Sequence, residues 1–337
     1  MIDSKQAPEW PCPALRDADL SAYTTARLGG RAEWLLEPTH PDQFVEAYRA
    51  ALEAGFRPRI LGGGANLLIA DGVLDGVVIT TARMSRLFKP RDASVEPTIV
   101  GEAEDELQPL LPHLVGKPDP NLEPEREIDP RLVAWAGVGL PGVVRTTKLL
   151  GWSGFEGMVG VPGHVGGGVA MNAGGRWGCM WDVIESVRVL TPEGKLEHLE
   201  RAQCQPRYRD GNLEGGIVLG AVLRFEVSSR PAVEAEVRRY LAEKSKAQPL
   251  TERSSGCIFK NPDPEASGGK GAGLLIQECG GKGWTEGKAM VSPKHANFIV
   301  NTGGAKTRDV LRLIERLREL VADKTGIELE TEVKVWM

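Results

Sequence analysis

The chain has 337 residues, 41% of them apolar and 26% charged, and its 41 basic against 46 acidic side chains leave a formal charge of −5. That length holds about two domains, each able to bury its own core, and the mild acidity offers no electrostatic footprint for nucleic acid. No stretch approaches the roughly 18 uninterrupted apolar residues of a membrane span. Residues 1–20 also lack a basic-then-apolar leader, so a cytoplasmic protein with no membrane partner is expected. The five cysteines (12, 179, 204, 257 and 279) are odd in number and at least 22 residues apart, and the five histidines are scattered. Neither a disulfide framework nor a metal site is expected.

Residues 1–22 form an N-terminal arm. A turn and strand over 23–38 precede a helix. Thr39 is placed to cap it, Pro41 suits its first turn, Phe44, Val45, Tyr48, Ala51 and Leu52 make one apolar stripe, and Gly55 ends it. A short strand at 59–61 runs into Gly62, Gly63 and Gly64, with a further strand at 77–79. From 89 to 131 the composition changes: eight prolines and eleven acidic side chains stand against five basic ones. This stretch reads as an extended excursion with one local helix near 105–111.

A strand at 133–136 leads to Gly137-Val138-Gly139-Leu140-Pro141-Gly142, which fits GxGxxG, and then to a helix stopped by Gly151. A Rossmann reading needs an acidic residue closing the next strand about 20 residues on. Glu156 stands near that spacing with no intervening strand, which disfavours it. Beyond lie a hairpin over 183–199, a long strand over 217–227 and a charged helix carrying Val233, Val237, Tyr240 and Leu241. The last third has a strand over 294–301 and an amphipathic helix from Thr307 to Gly326. In the closing strand Glu328, Glu330, Glu332 and Lys334 are expected on one solvated face.

The chemistry concentrates in 154–175, where nine of 22 residues are glycine. Glycine lets backbone N–H groups close on a ligand, successive glycines form an anion-holding concavity, and a short helix from Val165 would add its dipole. Val159, Val161, Val165, Val169 and Met171 argue for burial and against a mere surface loop.

Four stretches in order resemble the UDP-N-acetylenolpyruvoylglucosamine reductase family: LGGGANLLIAD (61–71), GMVGVPGHVGGGVAMNAG (157–174), SGCIFKNP (255–262) and KHANFIVNTGG (294–304). The resemblance implies an α+β fold. It has an FAD-binding region of the vanillyl-alcohol oxidase/PCMH type in two subdomains (23–228, interrupted by 89–131), then a smaller α+β substrate-binding domain (229–337). It also implies a monomer in which non-covalent FAD relays hydride from NADPH to the enolpyruvyl ether of a UDP-sugar, giving UDP-N-acetylmuramate for peptidoglycan synthesis. The alternatives are another FAD-dependent oxidoreductase of the same wider group and an inactive flavin-binding relative.

Residue by residue, the resemblance implies FAD contacts at Leu61, Gly62, Gly63, Gly64, Ala65, Asn66 and Leu67. It implies further contacts at Gly160, Val161, Pro162, Gly163, Val165, Gly166 and Gly167, and at Asn172, Ala173 and Gly174. Reduction of the enolpyruvyl group calls for a cation and an acid. Arg209, in Tyr208-Arg209-Asp210, matches the family's arginine; read without the family it is a surface arginine paired with Asp210. Cys257 stands where the family commonly has a proton-donating serine, and a thiol is the better acid; its bland reading is a small buried apolar residue. Glu332 matches the near-C-terminal glutamate, and alternation alone leaves it equivalent to Glu328 and Glu330. Tyr208, Lys260 and Asn261 match substrate-binding positions. Three departures stand out: His164 in the flavin loop, Gly211 where serine commonly follows the arginine motif, and the short span from Arg209 to Cys257, which resembles the branch lacking an extra substrate-covering segment.

Overall fold

The computed structural model describes residues 9–90, 107–110 and 129–337. The chain divides into two compact units. The first takes Met1–Leu15, Leu35–Gly63 and Gly76–Ala242, and the second takes Arg16–Trp34, Gly64–Asp75 and Glu243–Met337. Among the described residues no helix is long and apolar enough to cross a membrane.

In the first unit a six-stranded sheet runs in the order Leu196–Glu200, Ile184–Leu190, Ile217–Arg224, Arg131–Trp135, Leu87–Pro90, Leu107–Leu110. Every neighbour is antiparallel. Its central strands Ile184–Leu190 and Ile217–Arg224 each carry three β-branched residues, and Val187, Ala221, Leu223, Leu132 and Ala134 are buried together with Trp152, Phe155 and Trp181 in one core. The GxGxxG turn does join a strand to a helix, Leu140–Leu150, stopped by Gly151 in the left-handed conformation. Because the strand before it has antiparallel partners on both sides, the turn does not belong to a Rossmann βαβ unit. Gly137 is there for proximity: a Cβ would lie 1.9 Å from the Thr81 carbonyl.

A parallel pair, Arg59–Leu61 with Val73–Thr80, accompanies helix Pro41–Glu53. Thr39 does not cap this helix. His40 does, through Nδ1 accepting from the Asp42 N–H, while Thr39 binds the Gln43 side chain. The helix expected near 105–111 is also replaced: Leu107–Leu110 is an edge strand, with Phe88 opposite Pro109. Proline is tolerated at such an edge. The remainder of the excursion, 91–106 and 111–128, lies outside the described residues. The expected arm likewise contains a strand, Ala14–Asp19, and the long strand expected over 217–227 ends at Arg224.

The second unit carries the antiparallel sheet Ser254–Cys257, Phe298–Asn301, Ala289–Val291, Thr285–Glu286 and helix Thr307–Thr325. Val310, Leu313, Ile314, Leu317 and Val321 of that helix are buried, each contributing about 1.5–3 kcal/mol of transfer free energy against the cost of ordering it. The Asp71 carboxylate accepts the N–H groups of Thr307 and Arg308 at the helix start. Lys334–Trp336 pairs in parallel with Leu67–Ile69. The uniform closing strand is not formed: Glu328 and Glu330 are exposed, Glu332 is buried and Val335 faces solvent.

Candidate active site

The glycine-rich stretch folds as a short helix, Val165–Ala170, preceded by a turn. Its start is pinned to the sheet: Val165 N–H donates to the Val138 carbonyl and Gly166 N–H to that of Ala136, both at 2.8 Å. A Cβ on Gly63 would sit 2.7 Å from Gly163 Cα and 2.9 Å from His164 N, so the turn after strand Arg59–Leu61 touches the turn before the helix backbone to backbone. Nothing lies within 4 Å of a Cβ built on Gly167, so the helix presents open backbone there. His164 Nδ1 is buried with no hydrogen-bond partner among the described residues, and burial pulls the imidazole pKa down, keeping the ring neutral. Close glycine backbone beside open space and an unused ring nitrogen fit a dinucleotide cofactor.

Gly160 and Gly163 take the positive φ of 78° and 108° that glycine alone adopts cheaply. Of the apolar residues expected to be buried, Val165 and Val169 are, whereas Val159, Val161 and Met171 are half-buried. Leu61 and Gly63 end the first unit's part of LGGGAN, and Gly64 opens the second unit's part. There Thr25 Oγ1 donates to the carbonyls of Gly64 and Ser254.

The Arg209 segment is a tight turn closed by reciprocal hydrogen bonds between Arg207 and Asp210. Tyr208 is exposed at its tip, and the Arg209 guanidinium lies 5.1 Å from the Tyr208 ring centre. Arg209 takes φ 59°, uncommon for a side chain with a Cβ. Its Nη1 donates to the Gly174 carbonyl at 2.8 Å, so it reaches into the glycine-rich stretch rather than lying out over the surface.

In the second unit the backbone brings together two predicted residues 75 positions apart. Phe259 bridges Thr331, and the Ile258 carbonyl accepts the N–H groups of Glu332 (2.7 Å) and Val333 (3.3 Å). The segment bearing Cys257 therefore runs beside the segment bearing Glu332. Asn66 Nδ2, expected at the cofactor, donates to the Glu332 carbonyl at 3.1 Å. Gly256, at φ 77°, bends the strand just before Cys257, where its pairing with Phe298–Asn301 is irregular.

Residues 248–336 match the model of the UDP-N-acetylenolpyruvoylglucosamine reductase C-terminal domain, and 122–200 match that of an FAD binding domain. A UDP-N-acetylenolpyruvoylglucosamine reductase of Deinococcus radiodurans is 37% identical over 94% of this chain and 94% of its own length. The chain belongs to the UDP-N-acetylenolpyruvoylglucosamine reductase family. A member from Moorella thermoacetica is 34% identical over 96% of this chain and 93% of its own. The crystal structure of the Thermus caldophilus reductase superposes with a TM-score of 0.70 at 30% identity, covering 96% of this chain and 98% of that one. The α+β architecture, an FAD-binding region followed by the reductase C-terminal domain, is thereby shown.

Within this reductase fold the remaining predicted residues have definite surroundings. Lys260 pairs with Glu330, which also accepts its backbone N–H. The exposed Asn261 uses Oδ1 to accept the Ala272 N–H at the start of helix Ala272–Glu278. Asn297 is 3% exposed and holds both backbone groups of Phe259, at 2.9 and 2.8 Å. It thereby carries the sheet pairing past Phe298. His295 Nδ1 accepts the Asn297 N–H, and burial together with Lys282 lowers the ring's pKa.

Proposed function

We propose that this chain reduces UDP-N-acetylglucosamine enolpyruvate to UDP-N-acetylmuramate in peptidoglycan precursor synthesis, with NADPH as hydride donor. FAD, held non-covalently, would supply the hydride relay between NADPH and the substrate. The observation that supports this most is resemblance over nearly the whole chain, at 37% identity, to a protein of that name; Arg209 and Glu332 match the family's arginine and glutamate, and the thiol of Cys257 stands where serine is common. The FAD-binding region is assigned to 23–228 and the substrate-binding domain to 229–337. The backbone of 61–67, 160–167 and 172–174 holds the cofactor.

Arg209 grips the substrate carboxylate bidentately and stays charged as negative charge builds there during hydride arrival at the methylene carbon. Cys257 Sγ gives its proton to the neighbouring carbon, completing addition of two hydrogens across the double bond. Glu332 supplies a carboxyl group at the same reacting end of the substrate. Tyr208, Lys260 and Asn261 bind the rest of it. The enzyme acts as a cytoplasmic monomer, which light scattering of the purified protein tests.

The deciding experiment is anaerobic: one equivalent of NADPH is added to the holoenzyme, followed by the enolpyruvyl UDP-sugar. Bleaching and then rapid return of the flavin absorbance, with UDP-N-acetylmuramate formed, is the expected result. Bleaching that the sugar nucleotide does not reverse would overturn the substrate assignment.

A further inference from the structure

The Arg209 turn is docked on the segment leaving the glycine-loop helix by more contacts than a surface turn requires. Gly211 N–H donates to the Ala170 carbonyl at 3.0 Å, and Asn172 Nδ2 donates to the Arg207 carbonyl at 3.0 Å. The other end of the Asn172 amide is also committed, accepting the Trp181 N–H at 3.3 Å. Arg209 Nη1 makes the third link, to Gly174. At the base of the turn Asn212 Nδ2 donates to the Cys204 carbonyl at 2.7 Å, and the Asn212 N–H donates to the Asp210 side chain.

The approach depends on a missing side chain. A Cβ on Gly211 would lie 2.4 Å from the Val169 carbonyl oxygen and 3.1 Å from that of Ala170. Both are backbone atoms of the glycine-loop helix, so neither can swing aside, and any larger residue pushes the turn away. Arg209 itself sits at φ 59°, Gln205 at 44° and Asn212 at 53°. Such backbone strain persists only where surrounding contacts over-determine it.

We propose that Gly211 and Asn212 are positioning residues for Arg209. The first lets the turn seat on the segment 169–174 and the second locks its base, so the guanidinium is aimed by the glycine loop and not by its own flexible stem. This rests on the assignment of Arg209 to the substrate carboxylate. Preorganised charge acts only where it is held, and a displacement of about 1 Å costs on the order of 100-fold.

The test uses the holoenzyme and separates the two half-reactions. Gly211→Ala and Asn212→Asp are each expected to slow reoxidation of the flavin by the enolpyruvyl UDP-sugar about 10- to 100-fold. Flavin reduction by NADPH stays within about twofold of the parent. Amide hydrogen exchange at Asp210 and Gly211 is expected to quicken in Gly211→Ala, a readout independent of turnover. In an Arg209→Ala background neither substitution should slow reoxidation further, because the group they position is gone. Unchanged reoxidation in both variants, or additive losses on top of Arg209→Ala, would overturn the inference while leaving the Arg209 assignment intact. Full reoxidation in Arg209→Ala itself would overturn the assignment on which it rests. Should Gly211→Ala not fold, Asn212→Asp decides alone, since aspartate also tolerates the left-handed backbone.

Discussion

The two segments proposed to carry the reaction are held by different means. The Cys257 strand and the Glu332 segment are joined by backbone pairing: Phe259 bridges Thr331, and one carbonyl, that of Ile258, takes two N–H groups. The Arg209 turn is joined to the glycine-loop segment by one backbone bond, from Gly211 to Ala170, and otherwise by side-chain donors, a strained backbone and an absent Cβ. A backbone ladder is indifferent to which side chains it carries, whereas a side-chain dock is not. Substitutions of the reacting groups in the second unit should therefore report chemistry, and substitutions around Arg209 should report geometry.

The largest effect expected from that contrast is at the thiol. Cys257→Ala should keep NADPH-dependent flavin reduction and slow the substrate half-reaction about 10²- to 10⁴-fold, the range for losing a general acid. Cys257→Ser should recover much of the loss because the strand presents either group alike. Stopped-flow absorbance of both half-reactions checks this, and equal losses in the two halves would show that the strand itself had moved.

A smaller effect should follow from breaking the ladder at its support. Asn297→Ala strands the buried N–H and carbonyl of Phe259 and is expected to cost about 2–3 kcal/mol of unfolding free energy, measurable by denaturant titration. An unchanged midpoint would mean that Phe259 finds other partners and that the second segment is not held as described.

The smallest effect concerns Lys244, which is 5% exposed and whose pKa burial pulls down from 10.5 to about 8. The unfolded chain keeps this proton to about 10.5 and the folded chain releases it near 8. Between those values the unfolded state binds more protons, so stability contributed by this group rises with pH across that window and is lost as pH falls through it. Lys244→Met should flatten the rise by about 2 kcal/mol, after discount for solvent screening, in a comparison of unfolding midpoints at pH 7 and 10. A parallel pH dependence in parent and variant would show that the ammonium is not held away from water.

Most of the architecture was legible because its signals are local. Gly151 and Gly326 stop their helices as glycine does, and the stripe from Val310 to Val321 is buried as its spacing requires. What was illegible depends on partners distant in sequence. Period-two alternation made Glu332 one of three equivalent glutamates, and only pairing with Ile258, 74 positions away, buries it and leaves Glu330 in solvent with Lys260. Asn66 and Asn172 stand in glycine-rich motifs and were read with the cofactor. Their Nδ2 groups also donate to the backbones of the segments bearing Glu332 and Arg209. Gly211 reads from sequence only as a departure from the usual serine beside Arg209, because no sequence pattern shows that a carbonyl oxygen lies where its Cβ would be.

The acidic excursion leaves from Leu87–Pro90 and returns into Arg131–Trp135, and these strands are hydrogen-bonded neighbours, Phe88 opposite Val133. At the return, Arg131 grips Asp129 with Nε and Nη2 and also reaches Glu185. The two attachment points therefore already meet across one ladder, and Leu107–Leu110, inside the excursion, pairs with Leu87–Pro90 as the edge strand of the same sheet, so the connections on either side of it are loops with anchored ends. Doubling such a loop costs only about 0.6 kcal/mol of closure entropy. Extra chain length is therefore cheapest in the connections flanking Leu107–Leu110, provided that edge strand is kept.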